Sequence, residues 1–337
     1  MNKLLNLMSA AIIVSALTAC ASSSPAASSQ NPAAQPESGG SLITVGFAQV
    51  GAESGWRTAN TDSFKSYFTE ANGFNLIFSD AQQDQNKQIA AVRDFITQGV
   101  DYIDIAPVTT TGWETVLQEA KDAGIPVIIS DRKADVAEDL YVTYIGGNFE
   151  QEGKDAISWL EGYLAENNRS DEALNFVHLQ GTIGADAQIG RTKALDDAVA
   201  GAHAGKWTIV AQQTGEFTEA KGQEVMEAIL KNNTDVHVVY SENDDMTYGA
   251  ITALKNAGIN HKDVIIISFD GNKKAIQMII DGDIDCVAEC NPLLGPQVGD
   301  IIKKLENGET LPKITYSVES VYDIKNAEAH LPDAFGS

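Results

Sequence analysis

From about residue 42 onward, short β-branched apolar runs alternate with stretches whose apolar positions recur every three or four residues. The runs ITVGFAQ (43–49), NLIFSD (75–80), YIDIAP (102–107) and VIISD (127–131) predict four strands. After a break, LNFVHLQG (174–181), WTIVAQQ (207–213), HVVYSEN (237–243), VIIISFDG (264–271) and DCVAECN (285–291) predict a second set. Between them, FKSYFTEANG, KQIAAVRDFITQG, WETVLQEAKDAG, KGQEVMEAILKNN, MTYGAITALKNAG and KKAIQMIIDGD carry the helical period. Several of these end in Gly or Asn, the residues that tolerate a left-handed stop. Strands apolar on both faces, alternating with helices, predict parallel sheets covered on both sides. The fold class expected is α/β, as two doubly wound parallel-sheet domains with a cleft between them.

The N-terminus departs from this pattern. Asn2-Lys3 precedes LLNLMSAAIIVSALTA, an apolar run of signal-peptide length that closes on Leu17-Thr18-Ala19-Cys20. The ending resembles a bacterial lipobox, in which cleavage precedes a cysteine that then carries diacylglycerol. The expectation is a leader over 1–19, lipid on Cys20, and a flexible Ser/Ala/Pro-rich tether over 20–41 that builds no core. Such a protein sits outside the cytoplasm, held to the outer face of the cell membrane through its lipid alone. No later segment is apolar for long enough to span a bilayer.

Charge narrows the partners. The 337 residues hold 47 Asp plus Glu against 23 Lys plus Arg, a net charge of −24. That surface repels a phosphate backbone, so no nucleic-acid partner is expected. The other two cysteines, Cys286 and Cys290, lie four apart on an expected strand, about 13 Å from each other. That is too far for a disulfide without a bend. No His or third Cys is near enough in sequence to suggest a metal, and two buried thiols are expected.

Open α/β sheets bind ligands at the carboxyl ends of their strands. The residues found there are Glu53-Ser54-Gly55-Trp56-Arg57, Asp80, Pro107, Asp131-Arg132, Gln180-Gly181, Asn243-Asp244 and Asp270-Gly271. Carboxylates, amides and guanidinium forks beside an indole suit a sugar, whose vicinal hydroxyls pair with planar groups and whose C–H faces stack on rings. A single such residue is more often a helix N-cap; the recurrence in both halves carries the argument. Enzyme readings fit poorly. GAESG sets Ser54 beside the glycine, unlike the nucleophile elbow G-x-S-x-G. The first strand turn lacks G-x-G-x-x-G, and no Walker lysine occurs. An Asp131/Asp270 glycosidase pair is disfavoured by Arg132 next door, and His178 reads as a core residue. No catalytic residue, cofactor or metal is expected.

FAQVGAESGWR, GVDYIDIAPV, AGIPVIISDRKA, LQGTIGADAQIGRTKAL, FTEAKGQEVM, YSENDDMTYGAITALKNAG and ISFDG together resemble the ribose-type sugar receptors of bacterial ABC importers, with the type I periplasmic binding protein fold. VGAESGWR with APVTTTGWE is similar to the galactofuranose-binding and fructose-importing branch. The resemblance implies Trp56 against the sugar ring, Asp131 and Arg132 on its hydroxyls, and Arg191, Asn243 and Asp270 closing from the other domain. It also implies contacts from Glu53 and Arg57, and from Asn148 near the hinge. Cys290 stands where the family often has Gln, and Asn291 would supply the missing amide. Three crossings near 146, 290 and 318 are implied, dividing the chain into 42–145 plus 291–317 and 146–290 plus 318–337. The partners implied are a monosaccharide (fructose first, then galactofuranose, ribose or xylose) and a permease with its ATPase, the receptor itself being a monomer. A sensor for a signalling protein is the alternative output. Asp131→Ala is expected to abolish binding with the fold intact.

Overall fold

The computed structural model describes residues 41–336. The leader, Cys20 and the tether up to residue 40 lie outside the described residues. The first half runs β1 (Ile43–Gln49), α1 (Gly55–Tyr67), β2 (Phe74–Asp80), α2 (Gln85–Gln98), β3 (Tyr102–Ile105), α3 (Glu114–Asp122), β4 (Val127–Ser130) and β5 (Thr143–Gly146). The second runs α4 (Phe149–Glu166), β6 (Leu174–Gln180), α5 (Asp186–Ala200), β7 (Trp207–Thr214), α6 (Glu219–Leu230), β8 (Val238–Ser241), α7 (Asp244–Asn256), β9 (Ile265–Asp270), α8 (Lys273–Ile280) and β10 (Cys286–Glu289). The chain ends with α9 (Gly295–Glu306), β11 (Ile314–Tyr316), β12 (Val321–Tyr322) and α10 (Ala327–His330).

Two six-stranded sheets result, ordered β11-β5-β4-β3-β1-β2 and β12-β10-β9-β8-β6-β7. The orders match strand for strand, so β4 and β9 hold equivalent places. All pairings are parallel except β10 with β12. The chain therefore crosses between the sheets three times: after β5, after β10 and after β11.

Alternation along the strands explains the layers. In β4, Ile129 joins the cluster under α2 and α3 with Ile103, Ile105 and Leu117, while Ile128 joins the opposite one with Phe47, Phe64 and Val298. In the second sheet Val177, Leu179 and Val239 face one way and Phe176, Val238 and Tyr240 the other. Each such residue contributes about 1.5–3 kcal/mol by burial, which makes double coverage of the sheets favourable.

The strand runs expected from sequence are all present, but each sheet has more strands than they supply. TYIG at β5, the exposed ITY at β11 and the two-residue β12 carry too short a pattern to read. Cys286 and Cys290 are free and buried. They belong to different clusters, because the strand ends at Glu289 and Cys290 turns toward the first half, where it meets Trp56. His178 is fully buried and bonded to Glu242 at 2.9 Å, a core residue as expected. Among the described residues no helix is long and apolar enough to cross a membrane.

Candidate functional site

The carboxyl ends of the two sheets face each other across a small cavity, nearly closed in this arrangement. Glu53, Ser54, Trp56, Arg57, Asp131 and Arg132 line it from the first half; Phe149, Ala187, Arg191, Phe217, Asn243 and Asp270 line it from the second. Cys290, on the second crossing, completes it.

The first half's contribution begins with a helix cap. Ser54 Oγ accepts the Arg57 N–H at 3.1 Å, so α1 starts at Gly55 and Trp56 and Arg57 fall in its first turn. One turn separates Glu53 from Arg57, and they pair at 3.1 Å. Asp131 Oδ2 lies 2.7 Å from Arg57 Nη1, and Arg132 stands 3.6 Å from Glu53 and 3.7 Å from Asp131. Two carboxylates and two guanidinium groups thus form a ring with no net charge, the condition under which buried ions are tolerable. Burial opposes ionisation of Glu53, but Arg57 and then Arg132 hold it below the usual carboxylate range. Burial, and then Arg57, pulls Arg132 down.

On the opposite side Arg191 donates to Glu152 Oε2 from Nε at 2.9 Å and Nη2 at 2.7 Å, and to the Glu242 carbonyl at 2.5 Å. Its Nη2 also lies 3.6 Å from Asp270. Burial pushes Asp270 well up, and Arg191 opposes the rise. Each of the three arginines lies over an aromatic ring: Arg57 at 4.6 Å over Trp56, Arg132 at 5.1 Å over Phe217, and Arg191 at 5.3 Å over Phe149. The cavity therefore offers fixed charged donors and acceptors beside apolar faces.

Asp131 and Asp270, at the equivalent ends of β4 and β9, both have positive φ, 62° and 102°. Asp tolerates that region better than most residues. Backbone strain at the same point of both sheets turns a carboxylate into the cleft from each side. Phe217 shares the conformation, at φ 61°, and its carbonyl is held by Asn243 Nδ2 at 3.0 Å.

The halves also touch around the rim. Gly55 N–H donates to Asp245 at 3.1 Å, Thr110 N–H to the Gly184 carbonyl at 2.9 Å, and Lys133 N–H to Asp186 at 3.0 Å. Trp56 Nε1 donates to the Cys290 carbonyl at 2.8 Å. The cleft is shut.

Eight residues singled out from sequence meet here: Glu53, Trp56, Arg57, Asp131, Arg132, Arg191, Asn243 and Asp270. Asn148 and Asn291 do not line the cavity, which corrects the expectation for both. Asn148 caps α4 by accepting the Gln151 N–H, and Asn291 Oδ1 accepts the Leu293 N–H, so local turns claim both amide oxygens. Asn243 also caps a helix, accepting the Met246 N–H at 2.9 Å. Sequence reasoning missed Phe149, Phe217 and Glu152. Phe149 follows the unread strand β5; Phe217 lies in FTEAKG, where an aromatic after a strand was the available signal. Among the described residues one trio, Glu152, Cys290 and Glu319, brings potential metal-ligand atoms within 4.8 Å of one another. Arg191 already supplies the positive charge there.

Residues 45–310 match the model of the family described as "Periplasmic binding protein domain". The chain belongs to the periplasmic binding protein family. It is 43% identical over 286 residues to the galactofuranose-binding protein YtfQ of Escherichia coli K12, covering 83% of this chain and 87% of that one. It is 31% identical over 330 residues to the fructose import binding protein FruE of Bifidobacterium longum, covering 96% and 94%. A crystal structure from Mycobacterium smegmatis in complex with β-D-fucofuranose superposes with a TM-score of 0.81 at 45% identity, covering 87% of this chain and 95% of that one. The two-sheet α/β architecture is that of the type I periplasmic binding proteins.

Proposed function

We propose that this protein captures one furanose sugar in the cleft and delivers it to an ABC importer. The observation that carries the reading is the neutral ring of Glu53, Arg57, Asp131 and Arg132 facing Arg191 and Asp270 across the cleft. Sugar hydroxyls both donate and accept, so they pair with such a ring without adding charge. Trp56, Phe149 and Phe217 offer faces to the ring C–H groups. The lobes 42–145 plus 291–317 and 146–290 plus 318–337 close about the three crossings. Only the closed arrangement satisfies both sets of hydrogen bonds, so ligand shifts the population toward it. The closed shape is what the permease reads.

Galactofuranose and fucofuranose in the relatives favour an aldofuranose first, with fructose, the first choice from sequence, next. Calorimetry with D-galactose, D-fucose, L-arabinose, D-fructose and D-ribose tests the order. We expect the strongest binding from an aldose that forms a furanose, with Trp56 fluorescence changing in parallel. The carbon-13 shift of the bound anomeric carbon will identify the ring form. Binding of none of the five, or of a pyranose alone, would overturn the reading.

The LTAC leader supports lipid anchoring at Cys20 on the outer face of the membrane. Cys20→Ser is expected to move the protein from the membrane fraction to the soluble one; retention would argue against the anchor.

A further inference from the structure

Glu319 lies on the third crossing, outside the cavity. It meets Glu152 of α4 where all three crossings converge. Asn291, on the second crossing, donates its N–H to Glu319 Oε1 at 3.1 Å. Gly147, on the first, passes so close that a Cβ there would overlap Glu152 Oε1. Glu152 is 4% exposed, and its two oxygens differ. Oε2 takes the Arg191 fork, whereas Oε1 is buried with no donor. The facing atoms of Glu152, Glu319 and Cys290 lie within 4.8 Å of one another. Two carboxylates so close, in so dry a place, cannot both be ionised.

We propose that Glu319 is a positioning residue for sugar capture: it holds a proton and donates it to Glu152 Oε1, fixing Glu152 against Arg191 and tying the three crossings in the closed arrangement. This rests on the cleft reading above. Glu319 is the donor because Glu152 is committed to a guanidinium, which favours its ionised form, while Glu319 has no cation of its own. Burial, and then the charge of Glu152, pushes Glu319 up to about 9. The other groups facing the pair are Arg191 from α5, Asp270 from β9, Cys290 and Glu289 from β10 and its end, Asp131 from the end of β4, Asp155 from α4, Tyr144 from β5 and Tyr240 from β8. Burial raises Asp270 and Cys290 as well, and Arg191 opposes both shifts. Glu289 is engaged by Ser320 N–H and the Tyr322 hydroxyl.

The sign follows from which form bonds. Below the pH at which Glu319 loses its proton the bridge is whole; above it two carboxylates repel and closure weakens. Glu319→Gln keeps an acceptor for Asn291 and carries a permanent donor for Glu152. Calorimetry of the full chain with D-galactose from pH 6 to 10 is the test. Glu319 has the higher value only in the closed form, so wild-type affinity is expected to fall as pH rises toward about 9, by at most about tenfold per unit, and to level off once the proton is lost from both forms. Glu319→Gln is expected to stay within about twofold throughout. A flat wild-type profile, or a Glu319→Gln profile that follows wild type, overturns the proposal. So does recovery of affinity at pH 10 on adding Zn²⁺, which would make the bridge a cation. Infrared difference spectra of the sugar-free protein between pH 7 and 10 separate this from the cleft reading. A protonated-carboxyl band lost on going to pH 10, and absent from Glu319→Gln, supports the shared proton even if D-galactose does not bind; its absence from wild type overturns it.

Discussion

Asp131→Ala is expected to abolish detectable sugar binding and also to melt well below wild type. Asp131 lies 2.7 Å from Arg57 and 3.7 Å from Arg132, both almost completely buried. Removing it leaves the ring with an uncompensated positive charge, and breaking a buried pair from one side costs about 3–5 kcal/mol. Alanine at a φ of 62° adds backbone strain, of about 1–2 kcal/mol. The sequence-based expectation of an intact fold therefore needs amending: the carboxylate supports its own lobe as well as the ligand. Asp131→Asn separates the two roles, since asparagine tolerates the same backbone and keeps the shape. Its affinity is expected to fall by about 10- to 100-fold, the range for losing a charged hydrogen bond, with a smaller loss of melting temperature. Calorimetry beside thermal melts of both variants checks this. Unchanged affinity in Asp131→Ala would remove the cavity as the binding site.

Gly190→Ala should damage stability and affinity together while deleting no atom. A Cβ at Gly190 of α5 would lie 2.7 Å from the Glu150 nitrogen and 2.8 Å from the Phe149 carbonyl carbon, both backbone atoms of α4. Neither can move as a side-chain tip moves, so the helices must separate. Overpacking of this kind costs about 1–3 kcal/mol, and at this domain size each kcal/mol is worth about 2–4 °C in melting temperature. The strain falls beside Arg191 and Phe149, which line the cavity, so sugar affinity should drop too. Gly162, on the same α4 helix, is the control. It has open space around it, and Gly162→Ala is expected to stabilise by about 0.5–1 kcal/mol. If both variants melt alike, close α4–α5 packing is not what fixes that lobe.

The α/β class was legible because both sheets are covered on two faces, which forces long apolar runs into the central strands. The outer elements were not. β11 presents ITY with two of its three residues exposed, and β12 has two residues; the pairing of neighbouring strands, not local composition, makes them strands. Charged site residues were readable where they stand next to a strand end, as Asp131, Arg132 and Asp270 do, or where motif resemblance carried them, as for Arg191. The aromatic wall was not: Phe217 reaches the cavity through a left-handed turn stabilised by Asn243, a contact made across the fold. Asn148 and Asn291 show the reverse error. An amide near a crossing looks available for a ligand, yet the nearest unpaired backbone N–H claims it first.

The rim contacts have a consequence for how such a receptor changes over time. At three of the four, the first half offers main-chain N–H groups, of Gly55, Thr110 and Lys133, and the second half offers the acceptors. Main-chain donors survive nearly every substitution, whereas Asp245 and Asp186 do not. Drift at those two positions would alter how readily the jaws stay shut without touching the groups that read hydroxyls. Tightness and selectivity would then be inherited on separate residues, letting a lineage retune retention for scarcer or richer surroundings while keeping the same nutrient.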